Sequence, residues 1–233
     1  MGSSPSFLDA VVIPFVQGPK ILDVGCGFGR WGALLTTNYW ETCFGEPAAR
    51  PKITGCDGYL PNVNLARRSG FYTQVIHTIF PPLPFHDESF NTVLLLDVIE
   101  HLDNENGLKL IDEGKRITSH RVIISTPNQH AIRSAHATMT GWNDLEAHLS
   151  YWPRDLLHRL GFKLYGAGWR AGGGCWRAML RRLNLLSFYD GAIRPSIMSM
   201  SRYFPFFAEN IVGVWKKEID FSLCSQEVYS DFC

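Results

Sequence analysis

The 233-residue sequence has no net charge, because 22 lysines and arginines balance 22 aspartates and glutamates. A protein that bound nucleic acid over its whole surface would be basic, so only a local basic patch could serve that role. No apolar run approaches about 18 residues, the length of a membrane-spanning helix, and the N-terminus lacks a signal-peptide pattern. These absences predict a cytoplasmic protein without a transmembrane segment, for which nucleic acid and a membrane surface are disfavoured partners.

A regular cysteine spacing is also missing. The six cysteines form no CxxC pair and follow no period, a pattern typical of reduced thiols that argues against a disulfide framework or a structural zinc site. Hydrophobic residues make up 45% of the chain and charged residues 19%, so a folded core is expected and wholesale disorder is not. The length suits one α/β domain.

The sequence does contain a regular alternation of strand and helix patterns. Short apolar runs predict strands at 20–24, 52–56, 72–76, 90–98, 121–125, 162–165 and 210–215. Helical patterns lie between them at 30–39, 61–68, 104–118 and 153–160. This alternation predicts an α/β fold: a doubly wound, mostly parallel sheet of seven strands with helices on both faces.

A glycine-rich loop follows the first predicted strand, with the sequence DVGCGFGRWG over 23–32. Glycines allow the backbone to approach a ligand closely, and the next helix offers unpaired N–H groups at the same place. The spacing Gly27-x-Gly29-x-x-Gly32 also satisfies the dinucleotide fingerprint, so a nicotinamide-dependent reductase is an alternative. Asp23 argues against it, because a carboxylate there repels a pyrophosphate and attracts an ammonium group.

The segment DVGCGFG over 23–29 resembles motif I of the class I S-adenosylmethionine (SAM) methyltransferases of the type 11 and type 23 kind. The segments LPFHDESFN (83–91), DVIEHL (97–102) and TPN (126–128) resemble later parts of the same family. The resemblance covers about residues 20–165 and returns at 210–216. It implies a Rossmann-like fold and an enzyme that transfers the methyl group of SAM and releases S-adenosylhomocysteine.

The resemblance also implies the residues of the cofactor site. Those expected to hold the methionine moiety follow the first and fourth strands: Asp23, Gly25, Gly27, Gly29 and Asp97. Asp57 follows the second strand and would accept the ribose hydroxyls. Where relatives often have an acid for the adenine amino group, this sequence has Ile79 and Phe80. Adenine is therefore expected to lie against backbone and apolar side chains such as Phe80, Leu83 and Phe85.

His101 and His148 are the candidate catalytic residues on the acceptor side. His101 follows the fourth strand, next to the switch point where ligands bind in such sheets, and His148 precedes the helix predicted at 153–160. Methyl transfer mainly requires alignment and exclusion of water, and a base is needed only where the acceptor must lose a proton. A structural role, such as capping the next helix, is the alternative for His101.

Asp97, Glu100 and His101, with His148 later in the chain, also resemble the E-x-x-E-H…H metal set of the small-RNA 2′-O-methyltransferases. Such a set could hold a divalent ion that binds a pair of ribose hydroxyls. The first residue here is Asp rather than Glu, and the Glu-His pair also occurs in metal-free relatives. We therefore expect no metal.

The stretch 166–209, between the sixth and seventh strands, has no counterpart in the family pattern. It is rich in arginine and aromatic residues, and no acidic residue lies between Asp155 and Asp190. We expect an inserted lid that binds an acidic or phosphorylated acceptor with an apolar part; a solvated cationic face is the structural alternative. Residues 1–217 would then form one methyltransferase domain, and 218–233 a C-terminal tail.

The sequence therefore predicts a SAM-dependent methyltransferase with a small-molecule acceptor. A nucleic-acid (RNA 2′-O) or protein methyltransferase is the alternative among enzymes. A catalytically silent SAM-binding partner subunit is the alternative outside them.

Overall fold

The computed structural model describes residues 4–43, 50–129, 134–139, 141–168, 179, 181–185 and 200–218. The strands of the central sheet are β1 (Lys20–Val24), β2 (Lys52–Asp57), β3 (Gln74–His77), β4 (Phe90–Leu96), β5 (Thr118–Pro127), β8 (Lys163–Ala167) and β9 (Asn210–Lys216). A separate hairpin consists of β6 (His136–Thr138) and β7 (Gly141–Asn143). The helices are α1 (Asp9–Val12), α2 (Arg30–Cys43), α3 (Leu60–Ser69), α4 (Asn104–Ile117) and α5 (Arg154–Arg159).

The central sheet has the strand order β3-β2-β1-β4-β5-β9-β8. The strands β1 to β5 run parallel, whereas β9 is antiparallel to both of its neighbours. β1 pairs with β2 on one side and with β4 on the other. The strands β2 and β3 therefore extend the sheet in one direction from β1, and β4 and β5 extend it in the opposite direction. A crevice at the carboxyl ends of β1 and β4 follows from this topology. The predicted doubly wound, mostly parallel, seven-stranded sheet is confirmed.

Helices cover both faces of the sheet, and the side chains of successive strand residues point alternately to one face and the other. One face buries strand and helix side chains together: Leu22, Val93, Val122, Leu110, Ile111 and Leu157. The other face buries a second set against the N-terminal segment and α2: Ile21, Ile53, Leu94, Leu8, Trp31 and Leu35. Burial on both faces explains why β4 is apolar at every position from Val93 to Leu96.

The short helix α1 and the β6–β7 hairpin were not predicted from the sequence. Residues 6–15 form α1 between two short 3₁₀ turns, and Leu8, Val11 and Val12 bury against the sheet. A helix of four residues is too short to show a hydrophobic period. The β6–β7 hairpin is equally short, and neither of its strands contains a continuous apolar run.

The predicted lid at 166–209 lies largely outside the described residues, as does the predicted tail beyond 218. The described part at 200–209 packs against β8, where the Gly166 amide donates to the Arg202 carbonyl at 3.3 Å. A side chain at Gly166 would collide with the Ser201 carbonyl, so the close approach requires glycine. The domain boundary at 217 stays a prediction. Among the described helices, none is long and apolar enough to cross a membrane.

Candidate active site

A cavity of about 620 Å³ lies at the carboxyl ends of β1, β2 and β4, within the range typical of small-ligand sites. Its wall includes residues of the glycine loop, the turns after β2 and β4, the β6–β7 hairpin and the segment before α5. The first residue of β9 and the extreme N-terminal segment complete the wall. The cavity therefore occupies the crevice that the sheet topology creates.

The glycine loop forms a cradle on the wall of this cavity. Gly25 and Gly27 line it with φ angles of +67° and +55°, in the left-handed region that favours glycine. A Cβ atom at Gly25 would lie 2.5 Å from Cγ2 of Val98, so a larger residue would displace this backbone. Gly29, at φ +102°, shapes the turn but is not among the cavity-lining residues. The bare backbone fits the close approach of an amino-acid or nucleoside ligand.

Asp57 ends β2 and lines the cavity while being only 7% exposed. Its Oδ2 accepts from the Gly27 amide at 2.9 Å, and its Oδ1 from the Tyr59 amide at 2.7 Å. Burial raises its pKa above the ordinary value, although these backbone donors oppose the rise. A carboxylate can accept further hydrogen bonds, so its position fits the ribose contact expected for it, which stays a prediction.

Asp23 lies beneath the glycine loop and is not among the cavity-lining residues. Its carboxylate is 1% exposed and accepts from the Tyr72 hydroxyl at 2.6 Å. That hydroxyl also accepts from the Gly32 amide at 3.0 Å, which links Asp23 to the first turn of α2. Burial raises the pKa of Asp23 to about 7, the Tyr72 hydrogen bond opposes the rise, and the charge of Asp57 adds to it. Its direct contact with the cofactor stays a prediction.

Asp97 follows β4 and lines the cavity. Its φ of +53° is unusual for a residue other than glycine, and such strain is common at functional sites. Its Oδ1 accepts from the Ser125 hydroxyl at 2.7 Å and from the side-chain Nδ2 of Asn210 at 3.2 Å. Burial raises its pKa, opposed by hydrogen bonds and by the charge of Arg30. A fixed carboxylate thus faces the region expected to hold the methionine moiety.

The apolar side chains expected around adenine separate into two groups. Phe80 lines the cavity, as does Ile79, which is 65% exposed. Leu83 is 3% exposed and belongs to the core. Phe85 packs edge-on against Phe90 with the ring centroids 5.0 Å apart. Of the three apolar walls expected from the sequence, the structure places only Phe80 at the cavity.

His101 and His148 meet on the cavity wall, with ring centroids 4.9 Å apart and an interplanar angle of 87°. His101 ends the short 3₁₀ turn Ile99–His101 after β4, and its Nδ1 lies 3.1 Å from the Ala147 carbonyl oxygen. The Leu149 amide donates to the Glu100 carbonyl at 2.8 Å, and this bond holds the segment that carries His148 against the turn that carries His101. The structure therefore brings together the two residues predicted for the acceptor side.

Glu100 joins the two histidines to form a group that could hold a metal ion. It is 2% exposed, and ligand atoms of Glu100, His101 and His148 all lie within 4.8 Å of one another. Carboxylate and imidazole donors suit several divalent ions, and the carbonyl on Nδ1 of His101 is a common support for a metal-binding imidazole. Asp97, the first residue of the metal set that the sequence resembles, is not in the group. The expectation of no metal stays a prediction.

Sequence reasoning assigned no role to several residues of the cavity wall. They lie in the N-terminal segment, early α2, the hairpin, the segment before α5 and the position before β9: Ser4, Pro5, Arg30, Trp31, His136, Asn143, Glu146 and Glu209. Arg30 and Trp31 directly follow Gly29 within the segment 23–32, so their place in the sequence could have indicated that they line the cavity. The hairpin is placed by contacts between distant segments, such as that of the Tyr59 hydroxyl with the Trp142 carbonyl at 2.8 Å.

Comparison with known proteins identifies the family. The family described as "Methyltransferase domain" matches residues 6–166. The chain belongs to this family. A curated relative of the methyltransferase, the ubiquinone biosynthesis O-methyltransferase of Roseobacter denitrificans, is 35% identical over 95 residues, which cover 38% of this chain and 33% of the relative. The match thus spans about a third of that relative's length.

Solved structures share the fold of the methyltransferase. The PH0226 protein of Pyrococcus horikoshii aligns with a TM-score of 0.53 at 15% identity, covering 91% of this chain and 88% of that one. A SAM-dependent methyltransferase of Thermotoga maritima aligns with a TM-score of 0.53 at 17% identity and the same coverage. The resemblance stated from the sequence is confirmed: the chain contains a methyltransferase domain with a Rossmann-like fold, of the family whose cofactor is SAM.

Proposed function

We propose that the methyltransferase transfers the methyl group of SAM to a hydroxyl group of a small-molecule acceptor and releases S-adenosylhomocysteine. The observation that carries the proposal is the contact between His101 and His148 on the wall of the cavity that also contains Asp57 and Asp97. The curated relative's name, which specifies O-methylation, supports the same chemistry.

The geometry of His101 supports a role as the base. A carbonyl oxygen only accepts hydrogen bonds, so the contact with Ala147 requires Nδ1 to carry the proton. In the neutral ring Nε2 is then the nitrogen that accepts a proton. A hydroxyl is a weak nucleophile at neutral pH and must lose its proton as the methyl group arrives, whereas a neutral amine can attack directly. His101 would take this proton, and His148 would position the ring.

The same residues support a second way to activate a hydroxyl. Glu100, His101 and His148 would hold a divalent ion, and such an ion would supply Lewis-acid chemistry that lowers the pKa of a bound hydroxyl. The short distances between their ligand atoms favour this candidate. The two candidates differ in one measurable respect, the response of activity to metal removal.

The size of the cavity favours a small acceptor. About 620 Å³ must accommodate both the cofactor and the reacting part of the acceptor. The acidic or phosphorylated character predicted for the acceptor depends on the arginine-rich stretch, most of which lies outside the described residues. That part of the acceptor's chemistry stays a prediction.

A panel of acceptors tests the proposal. The protein is incubated with SAM and with matched phenols, catechols, aliphatic alcohols, amines and a short RNA, and S-adenosylhomocysteine is quantified. We expect turnover with at least one hydroxyl compound and none with its O-methylated counterpart. The His101→Ala variant should lower kcat by about 100-fold or more while SAM affinity changes little. Turnover confined to amines or to RNA would overturn the proposal.

A chelator arm separates the two modes of hydroxyl activation. Activity that survives dialysis against a chelator supports His101 as a base. Activity that is lost and then restored by a single divalent ion supports the metal-binding group. His148→Ala should abolish the metal response in the second case, and it should leave activity insensitive to chelator in the first.

A further inference from the structure

The charges on the cavity wall are unequal. Its carboxylates come from five separate positions: Asp57, Asp97, Glu100, Glu146 and Glu209. Among the described residues that line the cavity, Arg30 is the only lysine or arginine. SAM carries a sulfonium and an ammonium group, which suit an acidic wall, and also a carboxylate, which does not. The cofactor's one negative group therefore needs a specific donor.

Arg30 begins α2 directly after Gly29. Its Nη2 atom contacts both carboxylate oxygens of Asp9, at 2.6 and 2.8 Å. The side chain is 19% exposed, and its guanidinium carbon lies 5.1 Å from the centroid of the Trp31 ring. The ion pair and the aromatic ring together hold the guanidinium plane at the edge of the cavity.

The Nη1 atom of Arg30 is buried and makes no hydrogen bond within the part of the chain that the structure describes. Because Asp9 uses only Nη2, the planar guanidinium keeps a second side for another anion. A buried N–H group without an acceptor is costly, so such a position favours a ligand that supplies one. The dipole at the N-terminus of α2 also favours a negative group at the same place.

We propose that Arg30 binds the carboxylate of the cofactor's methionine moiety and that this contact selects SAM and S-adenosylhomocysteine over analogues that lack the carboxylate. The donor at Nη1 pairs with a carboxylate oxygen, while Asp9 continues to hold Nη2. The proposal concerns cofactor recognition alone, so it does not depend on the acceptor or on how a hydroxyl is activated.

Calorimetric titration with two matched ligands tests this assignment in the absence of acceptor. S-adenosylhomocysteine carries both the ammonium and the carboxylate, whereas its decarboxylated analogue keeps the ammonium alone. We expect the parent protein to bind S-adenosylhomocysteine about 10- to 100-fold more tightly than the analogue, the usual value of a charged hydrogen bond. In Arg30→Gln the affinity for S-adenosylhomocysteine should fall by about 10- to 100-fold. The affinity for the decarboxylated analogue should not fall.

Two further variants act as controls. Arg30→Lys keeps the charge without the planar donor set and should retain part of the preference. Asp9→Asn removes the ion pair and leaves Arg30 intact, so the preference should persist. An equal loss of affinity for both ligands in Arg30→Gln would assign Arg30 a structural role and overturn the proposal. So would an unchanged ratio of the two affinities in a variant whose thermal unfolding matches the parent's.

Discussion

At the scale of single residues, the site depends on carboxylates whose protonation is controlled by burial. Asp23, Asp57 and Asp97 all have raised pKa values, with burial the largest cause in each case. Each is held by donors that favour the charged form, such as the Tyr72 hydroxyl on Asp23. The residue types were recognisable in the sequence. Their environment was not, because it comes from segments far apart in the chain.

The raised pKa of Asp23 predicts a pH-dependent stability. Its pKa is about 7 in the folded protein and 3.8 ordinarily, so between these values the folded state keeps a proton that the unfolded state has lost. The contribution is fully present below about pH 4 and is lost as pH rises through about 7. Each unit of difference between the folded and unfolded pKa values corresponds to about 1.4 kcal/mol of folding stability. The parent protein should therefore lose a few kcal/mol of stability relative to Asp23→Asn across this range.

Urea unfolding of both proteins at about pH 4.5, 6 and 8 measures this difference, because the titration of other groups largely cancels. Asp23→Asn keeps an oxygen acceptor for Tyr72, so the comparison isolates the charge. A difference in stability that stays constant from pH 4.5 to 8 would contradict the raised pKa.

At the scale of elements, α4 and the segment before α5 meet at a glycine. A Cβ atom at Gly107 would overlap the indole ring of Trp152, which is 1% exposed. The Trp152 Nε1 donates to the Ser150 hydroxyl at 2.9 Å, and that hydroxyl donates to the Ile99 carbonyl at 3.2 Å. This contact fixes the segment that carries His148 beside the turn that carries His101. The predicted helix positions were right to within a few residues. The contact between Gly107 and Trp152 could not be predicted from the sequence of either element alone.

Two glycines of α4 provide a matched test of this packing. Gly107→Ala should destabilise the protein by about 1–3 kcal/mol because the methyl group displaces Trp152, and it should also lower activity. At Gly114 a Cβ atom would lie 3.5 Å from its nearest neighbours. Gly114→Ala should therefore stabilise by about 0.5–1 kcal/mol through helix propensity and unfolded-chain entropy. Chemical unfolding measures both, and equal effects of the two substitutions would show that Trp152 does not depend on the space at Gly107.

At the scale of the whole molecule, the sheet topology decides where the cofactor can bind. The strand order places the carboxyl ends of β1 and β4 beside each other, and loops from both line one cavity. A ligand in that crevice contacts loops on both sides of the switch point. Because these loops come together only in the folded protein, the bound ligand raises the free energy of unfolding.

Ligand-dependent thermal unfolding tests this consequence. At about 100 times its dissociation constant, S-adenosylhomocysteine should stabilise the protein by about 2.7 kcal/mol, a rise of roughly 5–10 °C in the unfolding midpoint for a chain of this size. NADH at the same concentration should produce no rise, because the acidic wall of the cavity disfavours a pyrophosphate. Asp57→Asn should reduce the rise seen with S-adenosylhomocysteine. A larger rise with NADH would contradict the assigned cofactor.

The sequence by itself determined the alternation of strands and helices, the glycine loop and the position of Asp57 at the carboxyl end of β2. These features are local, because apolar periodicity and turn residues report the burial and the ends of one element at a time. Only the tertiary structure decided that Arg30 pairs with Asp9 and that His101, 46 positions away from Ala147, contacts it beside His148. Such contacts depend on how whole elements pack across the sheet. The spacing of residues within one element does not indicate which residues of another element it will contact.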